Sequence, residues 1–150
     1  MIDVNIFIGG PAGYGIMSAG KILAKCFSRV GYNVFALPEY PSLIRGGHNT
    51  YSIRISDKEI FSQKQKINIL IALDKKTIER HQDDLDEDKA IIVCDENIEF
   101  EHKNLYKIHL LKTAEKYGER NIMQNTVAIG AVMGLLNFDF AILDSVLRSV

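Results

Sequence analysis

The sequence predicts a three-layer α/β domain with a mostly parallel, mixed sheet and helices on both of its faces. Short apolar runs alternate along the chain with stretches of helical periodicity. The first apolar run passes through a glycine-rich turn directly into a helical pattern. The length of 150 residues, 47% hydrophobic and 25% charged, suits one domain that buries its own core.

Val4 to Ile8 reads as a buried strand, followed by the turn Gly9 to Gly15. From Ile16 to Val30, apolar residues Ile16, Ile22, Leu23, Cys26, Phe27 and Val30 share one face, and Lys21, Lys25 and Arg29 share the other. Gly31 is a natural helix stop. Asn33 to Leu37 gives a second strand, and Pro38 and Pro41 open a loop that reaches Asn49. Thr50 to Ile55 alternates like a half-exposed strand, and Asp57-Lys58 suggests a hairpin back into a short strand at Ile60 and Phe61. Ile67 to Leu73 is the strongest buried strand, with a helix expected from Lys75 to about Leu85. The acidic stretch Asp83 to Asp88 reads as a solvated loop. Ala90 to Cys94 and Leu105 to Ile108 are further strands, and helices follow at Leu111 to Tyr117, Gln124 to Leu136 and Phe138 to Arg148. Asn137 and Asp139 mark the last helix junction. The arrangement is Rossmann-like in outline.

Composition narrows the function. A net charge of -1 offers no basic field for nucleic acid. No run approaches the roughly 18 apolar residues of a membrane span, and MIDVNIFIGG has no basic region of a signal peptide. Cys26 and Cys94 sit among apolar neighbours and read as core residues. They are too few for an iron–sulfur cluster and show no disulfide framework, which fits a reducing cytoplasm. No His or Cys spacing suggests a metal site, and no nucleophile–base pair is visible, so no catalytic residue is expected in this chain.

Two segments carry chemistry. In Gly9-Gly10-Pro11-Ala12-Gly13-Tyr14-Gly15, between strand and helix, glycines permit positive φ and close backbone approach. The amides that open the helix attract an anion such as phosphate. The turn is neither a Walker A loop nor a G-x-G-x-x-G, because its spacing of Gly10, Gly13 and Gly15 reverses the order of the gaps. Glu39 stands roughly where a ribose-binding acid would. Nucleotide binding and a purely structural tight turn both remain open. The second segment, Pro38 to Asn49, concentrates Glu39, Tyr40, Ser42, Arg45, His48 and Asn49 between stiffening prolines and the flexible Gly46-Gly47 pair. Arg45 is suited to clamp a phosphate or carboxylate. The alternative is a surface loop whose polar groups satisfy its own backbone.

Together these segments resemble the gamma domain of the pyruvate/2-oxoacid:ferredoxin oxidoreductase family. The family pattern of a G-G-P-A-G-x-G turn and a helix with an Ala-Gly step is matched by Gly9 to Gly15 and Ala19-Gly20. Its E-Y-x-S-x-x-R-G-G signature is matched by Glu39 to Gly47. A strand ending Arg54-Ile55-Ser56-Asp57, a strand into Ala72-Leu73-Asp74, Glu79-Arg80-His81 in the next helix, and Asn125 ahead of a small-residue helix follow in order. Tyr14 replaces the Gln of many free-standing gamma subunits, and P-A-G-Y-G-I-M-S-A-G is similar to gamma domains fused ahead of a thiamine-binding alpha chain. The stop at Val150, inside a helical pattern, points the same way, so residues 1–150 are expected to be one gamma-type module of a longer chain.

The resemblance implies a component of an enzyme that oxidatively decarboxylates a 2-oxoacid on thiamine diphosphate. Electrons would pass through iron–sulfur clusters to ferredoxin or flavodoxin, and the acyl group to coenzyme A. Thiamine diphosphate and the clusters would belong to partner alpha and beta domains or other subunits. This domain would pack on the catalytic core and help to position coenzyme A, with Gly10, Ala12, Gly13, Gly15, Ser42, Arg45, Gly46 and Gly47 as contacts to the coenzyme or to a neighbouring subunit. It would be inactive alone, and the pattern permits a homodimer. The rivals are a free-standing nucleotide-binding or regulatory module using Glu39, a ligand-free scaffold, and an indolepyruvate-type relative.

Overall fold

A computed structural model describes residues 1–40, 47–87, 89–118 and 120–150. The chain runs β1 (Asp3–Pro11), α1 (Ile16–Arg29), β2 (Asn33–Glu39), β3 (His48–Ser56), β4 (Ile69–Ala72), α2 (Lys75–His81), β5 (Ile91–Asp95), β6 (Leu105–Ile108), α3 (Leu110–Tyr117), α4 (Arg120–Leu135) and α5 (Phe140–Leu147). The strands form one six-stranded sheet in the order β2-β3-β1-β4-β5-β6. The β1–β4, β4–β5 and β5–β6 pairs are parallel, and β3 is antiparallel to both neighbours. The expected mixed α/β sheet is therefore present.

Side-chain alternation divides the core. Ile6, Ile8, Ile53, Ile55, Ile69, Ile71 and Val93 face α1, α4 and α5, which contribute Leu23, Phe27, Ile129, Met133, Leu143 and Val146. On the opposite face Leu70, Ala72, Ile92 and Cys94 pack with Ile78 of α2 and with Leu85. Helices therefore cover both faces unequally. Cys26 and Cys94 are fully buried in different clusters, one on each side of the sheet. Burial pushes both thiols up, Cys94 to about 11, so both act as small apolar residues. Val30, expected on the core face of α1, is instead 39% exposed beyond the last turn.

The hairpin expected at Ile60 and Phe61 does not form. Both edges of β3 are already occupied, by β1 and by β2, so no edge remains for a further strand. Residues 59–66 instead run as an irregular strap over the polar side of β1 and β3, and Phe61 is 82% exposed. Buried Asn5 donates from Nδ2 to the carbonyls of Lys64 and Lys66, at 3.1 and 3.3 Å. Lys64 Nζ donates to the Asp3 carbonyl at 2.8 Å, and Arg54 Nη1 to that of Ser62 at 3.0 Å. Arg54 also grips Asp3 with both ends of its fork, at 2.9 and 3.0 Å, holding the Asp3 carboxyl below its usual pKa.

Helix ends follow their chemistry. Asp74 caps α2 by accepting from the Thr77 amide at 2.9 Å, and Asp139 caps α5 by accepting from the Ala141 amide at 2.9 Å. Asn137, with φ 51°, turns the chain between α4 and α5. The helix expected to reach Leu85 ends at His81 and continues as a 3₁₀ turn, Gln82–Asp84. Among the described residues, no helix is long and apolar enough to cross a membrane.

Gly20 fixes how closely α1 lies on the sheet, because a Cβ there would fall on the Tyr51 ring. Gly20→Ala gains helix propensity but overpacks this contact. A net loss of about 1–3 kcal/mol is expected in urea denaturation. An unchanged or raised midpoint would show that Tyr51 yields freely.

Candidate functional site

The strand order changes direction between β1 and β4: the chain leaves β1 toward β2 on one side and continues from β4 to β5 and β6 on the other. In open α/β sheets, ligands lie outside the carboxyl ends of strands at such a point. The glycine turn occupies that place. β1 keeps its ladder through Gly9 and Gly10 to Pro11, so the turn proper is shorter than the glycine run.

The glycines divide by role. A Cβ at Gly9 would stand 2.7 Å from Thr77 Cγ2 and 3.3 Å from the His48 ring; one at Gly10 would stand 2.9 Å from Leu73 Cβ. Both positions serve packing. Gly13 (φ 89°) has open space where a Cβ would point, and Gly15 (φ 70°) is the N-cap of α1. No side chain caps α1 and no acid lies in its first turn, so its leading amides are available to an anion. The Ala12 amide, expected to meet a ligand, donates to the Gly47 carbonyl at 3.0 Å. That bond joins the glycine turn to the returning end of the second loop. Ser42, Arg45 and Gly46 lie outside the described residues.

A residue far along the chain holds the turn. Buried Asn125 donates from Nδ2 to the carbonyls of Tyr14 (2.9 Å) and Gly15 (3.2 Å), and its Oδ1 accepts from Thr126 Oγ1 at 3.0 Å. A side chain on Gly15 would collide with this amide. Asn125 was legible only as part of a family pattern, since nothing in its spacing points to a turn 110 residues away.

Glu39 ends β2 and accepts from Thr50 Oγ1 at 3.5 Å. Because β3 separates β2 from β1, Glu39 stands two strand spacings, roughly 10 Å, from the glycine strand. A ribose-binding acid needs the adjacent strand, so this position does not fit that use.

His48 Nε2 lies 3.3 Å from His81 Nε2, and His81 Nδ1 lies 3.5 Å from Asp84 Oδ2. The pair borders a cavity of about 440 Å³ with Glu39, Tyr40, Thr50 and Arg80. Burial lowers the His48 pKa, the Asp74 charge opposes that, and His81 and Arg80 add to it. The partner His81 lies 33 residues away, beyond any local spacing signal. A small cleft of about 100 Å³ brings Pro11, Gly47 and His48 against Asp74 and against Lys76 and Arg80 of α2. On the β5 side of the turn, Tyr14, Asp74, Asp95, Asn97 and Gln124 line a crevice of about 390 Å³.

Two outcomes follow from this geometry. Asn125→Ala leaves the Tyr14 carbonyl without its donor and the Gly15 carbonyl with the Ala19 amide alone, and should cost about 1–3 kcal/mol in urea denaturation; an unchanged midpoint would show that water replaces the side-chain amide. His48, with a folded-state pKa below its ordinary 6.5, resists protonation in the folded protein. Its contribution is complete above the unfolded value and is lost as pH falls through the folded one. Stability should therefore decline as pH falls below about 6.5, less so in His48→Asn; an equal decline in both would place the effect elsewhere.

Comparison with known proteins gives this geometry a family. The profile described as pyruvate ferredoxin/flavodoxin oxidoreductase matches residues 5–150. The 2-oxoacid:ferredoxin oxidoreductase subunit alpha of a Sulfolobus species is 38% identical over 92 residues, 61% of this chain and 14% of that subunit. The 2-oxoglutarate synthase subunit KorC of Archaeoglobus fulgidus is 28% identical over 135 residues, 89% of this chain and 71% of that subunit. The structure of 2-oxoglutarate:ferredoxin oxidoreductase from Magnetococcus marinus, with 2-oxoglutarate, coenzyme A and succinyl-CoA bound, superposes with a TM-score of 0.89 at 26% identity, covering 99% of this chain and 27% of that one. This chain thus spans about a seventh of the alpha subunit it matches. With the match running from β1 through α5, the chain belongs to the pyruvate ferredoxin/flavodoxin oxidoreductase family.

Proposed function

We propose that this chain is the gamma-type part of a 2-oxoacid:ferredoxin or flavodoxin oxidoreductase and that it positions coenzyme A on a thiamine-dependent core. The carrying observation is the Ala12–Gly47 bond. It brings both sequence signatures to one point, at the open N-terminus of α1 and beside Lys76 and Arg80. Open amides and the Lys76 and Arg80 cations, which outnumber the Asp74 carboxylate in the cleft, suit the phosphates of a coenzyme. The Magnetococcus relative, which holds coenzyme A and superposes over nearly the whole chain, supports the same reading. Gly13 and Gly15 supply the amide side of the contact, and Ser42, Arg45 and Gly46 are proposed to complete it from the second loop.

The higher identity to alpha subunits than to KorC supports a gamma domain fused to an alpha chain. Thiamine diphosphate and iron–sulfur clusters then belong to partner domains or subunits, with ferredoxin or flavodoxin as acceptor, and the domain alone turns nothing over. Two buried thiols on opposite faces fit a reducing cytoplasm.

Calorimetry of coenzyme A and NAD with this chain and with Arg45→Ala tests the reading. Coenzyme A should bind more tightly than NAD, and Arg45→Ala should weaken it about tenfold or more, the scale of a lost charge-assisted contact. Tighter NAD binding would overturn the coenzyme reading, and binding of neither would assign the domain a scaffold role.

A further inference from the structure

On the face of the sheet away from α1, two histidines meet that the coenzyme reading does not use. His48, the first residue of β3, and His81, the last residue of α2, bring their Nε2 atoms to 3.3 Å. The ring centroids are 5.5 Å apart and the ring planes 27°. The two Nε2 atoms are therefore facing corners of the rings. Two nitrogen lone pairs at that distance repel unless a proton or a metal cation lies between them. Strand β1 holds the rings in place from below. Phe7 packs against His81 with centroids 4.5 Å apart. On the same face of β1, Gly9 leaves room for the His48 ring, which stands 3.3 Å from where a Cβ would be.

The geometry favours a metal ion. The contact is long for a hydrogen bond. Zinc–imidazole bonds of about 2.0–2.1 Å at a tetrahedral angle hold two ligating nitrogens roughly 3.3 Å apart. His81 Nδ1 lies 3.5 Å from Asp84 Oδ2. A carboxylate only accepts, so it favours the tautomer with the proton on Nδ1 and the lone pair on Nε2, the arrangement of a ligating histidine with an outer carboxylate. Glu39, Asp74 and Asp84 stand around the pair against Arg80 and Lys76, a balance that admits a cation. Among the described residues no group of three His, Cys, Asp or Glu is placed to ligate. The remaining coordination positions therefore open into the cavity of about 440 Å³, where water or a donor atom of a small ligand fills them. Imidazole ligands select zinc, nickel or copper over magnesium and calcium.

We propose that His48 and His81 form a two-histidine site for a divalent transition-metal ion, open toward the cavity. The ion ties the start of β3 to the end of α2. Because β3 begins beside Gly47, whose carbonyl takes the Ala12 amide, it also fastens the returning end of the second loop. The two ligands lie 33 residues apart, so no spacing in the sequence marks the site. The inference does not depend on the coenzyme-positioning reading.

The test is calorimetry of Zn²⁺ with this chain, untagged and stripped with EDTA, and with His48→Gln, His81→Gln and the control His109→Gln, whose imidazole pairs with Glu96 at 2.7 Å. The wild type should bind Zn²⁺ and gain melting temperature from it, and Mg²⁺ should not compete. His48→Gln and His81→Gln should each weaken Zn²⁺ about tenfold or more, a loss that removing even an outer partner can cause, and should lose the gain in melting temperature. His109→Gln should change neither. Wild-type Zn²⁺ affinity in folded His81→Gln, displacement of Zn²⁺ by Mg²⁺, or no Zn²⁺ binding by the wild type overturns the site. If both pair variants unfold, electron paramagnetic resonance of Cu²⁺ decides, on the His102→Gln/His109→Gln protein that keeps only His48 and His81. Coupling to two imidazole nitrogens carries the inference, and coupling to one or none overturns it.

Discussion

Strand β3 enters the sheet antiparallel between β2 and β1 and pairs with β1 from Asp3–Ser56 to Pro11–His48. The positions of the candidate ligand groups follow from this ladder. It brings the start of β3 against the end of β1, so that Gly47 meets Ala12 and His48 lies over Gly9. It also separates β2 from β1 by a full strand, which removes Glu39 from the glycine turn. A doubly wound nucleotide fold without such an insertion would place the acid on the adjacent strand. The same local sequence, glycine turn and downstream acid, therefore has a different meaning because of one strand's direction.

The ladder also changes what the opposite face of the sheet must do. Alternation puts Asn5, Thr50, Ser52 and Arg54 on the side away from α1, where an apolar cover would leave polar groups unpaired. The strap at residues 59–66 answers that need with carbonyls and Gln63, whose Oε1 lies 3.0 Å from the Ser52 hydroxyl. The apolar cover centres on β4 and β5, with Phe7 of β1 and Leu105 of β6 packed against it. Hydrogen bonding holds one half of this face and apolar burial the other.

At the carboxyl edge, the last third of the chain completes what the first turn begins. The α1 N-terminus is uncapped by local side chains, and the turn before it takes positive φ at Gly13 and Gly15. Such a turn exposes carbonyls as well as amides. Asn125 takes the Tyr14 carbonyl and shares the Gly15 carbonyl with the Ala19 amide, while the Ala12 and Tyr14 amides donate to the Gly47 and Pro11 carbonyls. The turn is thereby held in one conformation before any ligand arrives, which lowers the ordering cost of binding.

The sequence by itself determined the elements whose signals are local. Apolar runs marked β1, β4 and β5, helical periodicity marked α1, and Asn137 and Asp139 marked helix ends, because burial patterning and capping act within a few residues. It also determined family membership, through two ordered signatures that need no coordinates to be read. Tertiary structure decided which strand became whose neighbour, and with it the loss of the Ile60–Phe61 hairpin, the displacement of Glu39 and the division of the glycines into packing and turn positions. It alone brought His81 to His48, Asn125 to Gly15 and Gln124 into the crevice, since contacts between residues 33 to 110 positions apart depend on the sheet order and leave no trace in local spacing.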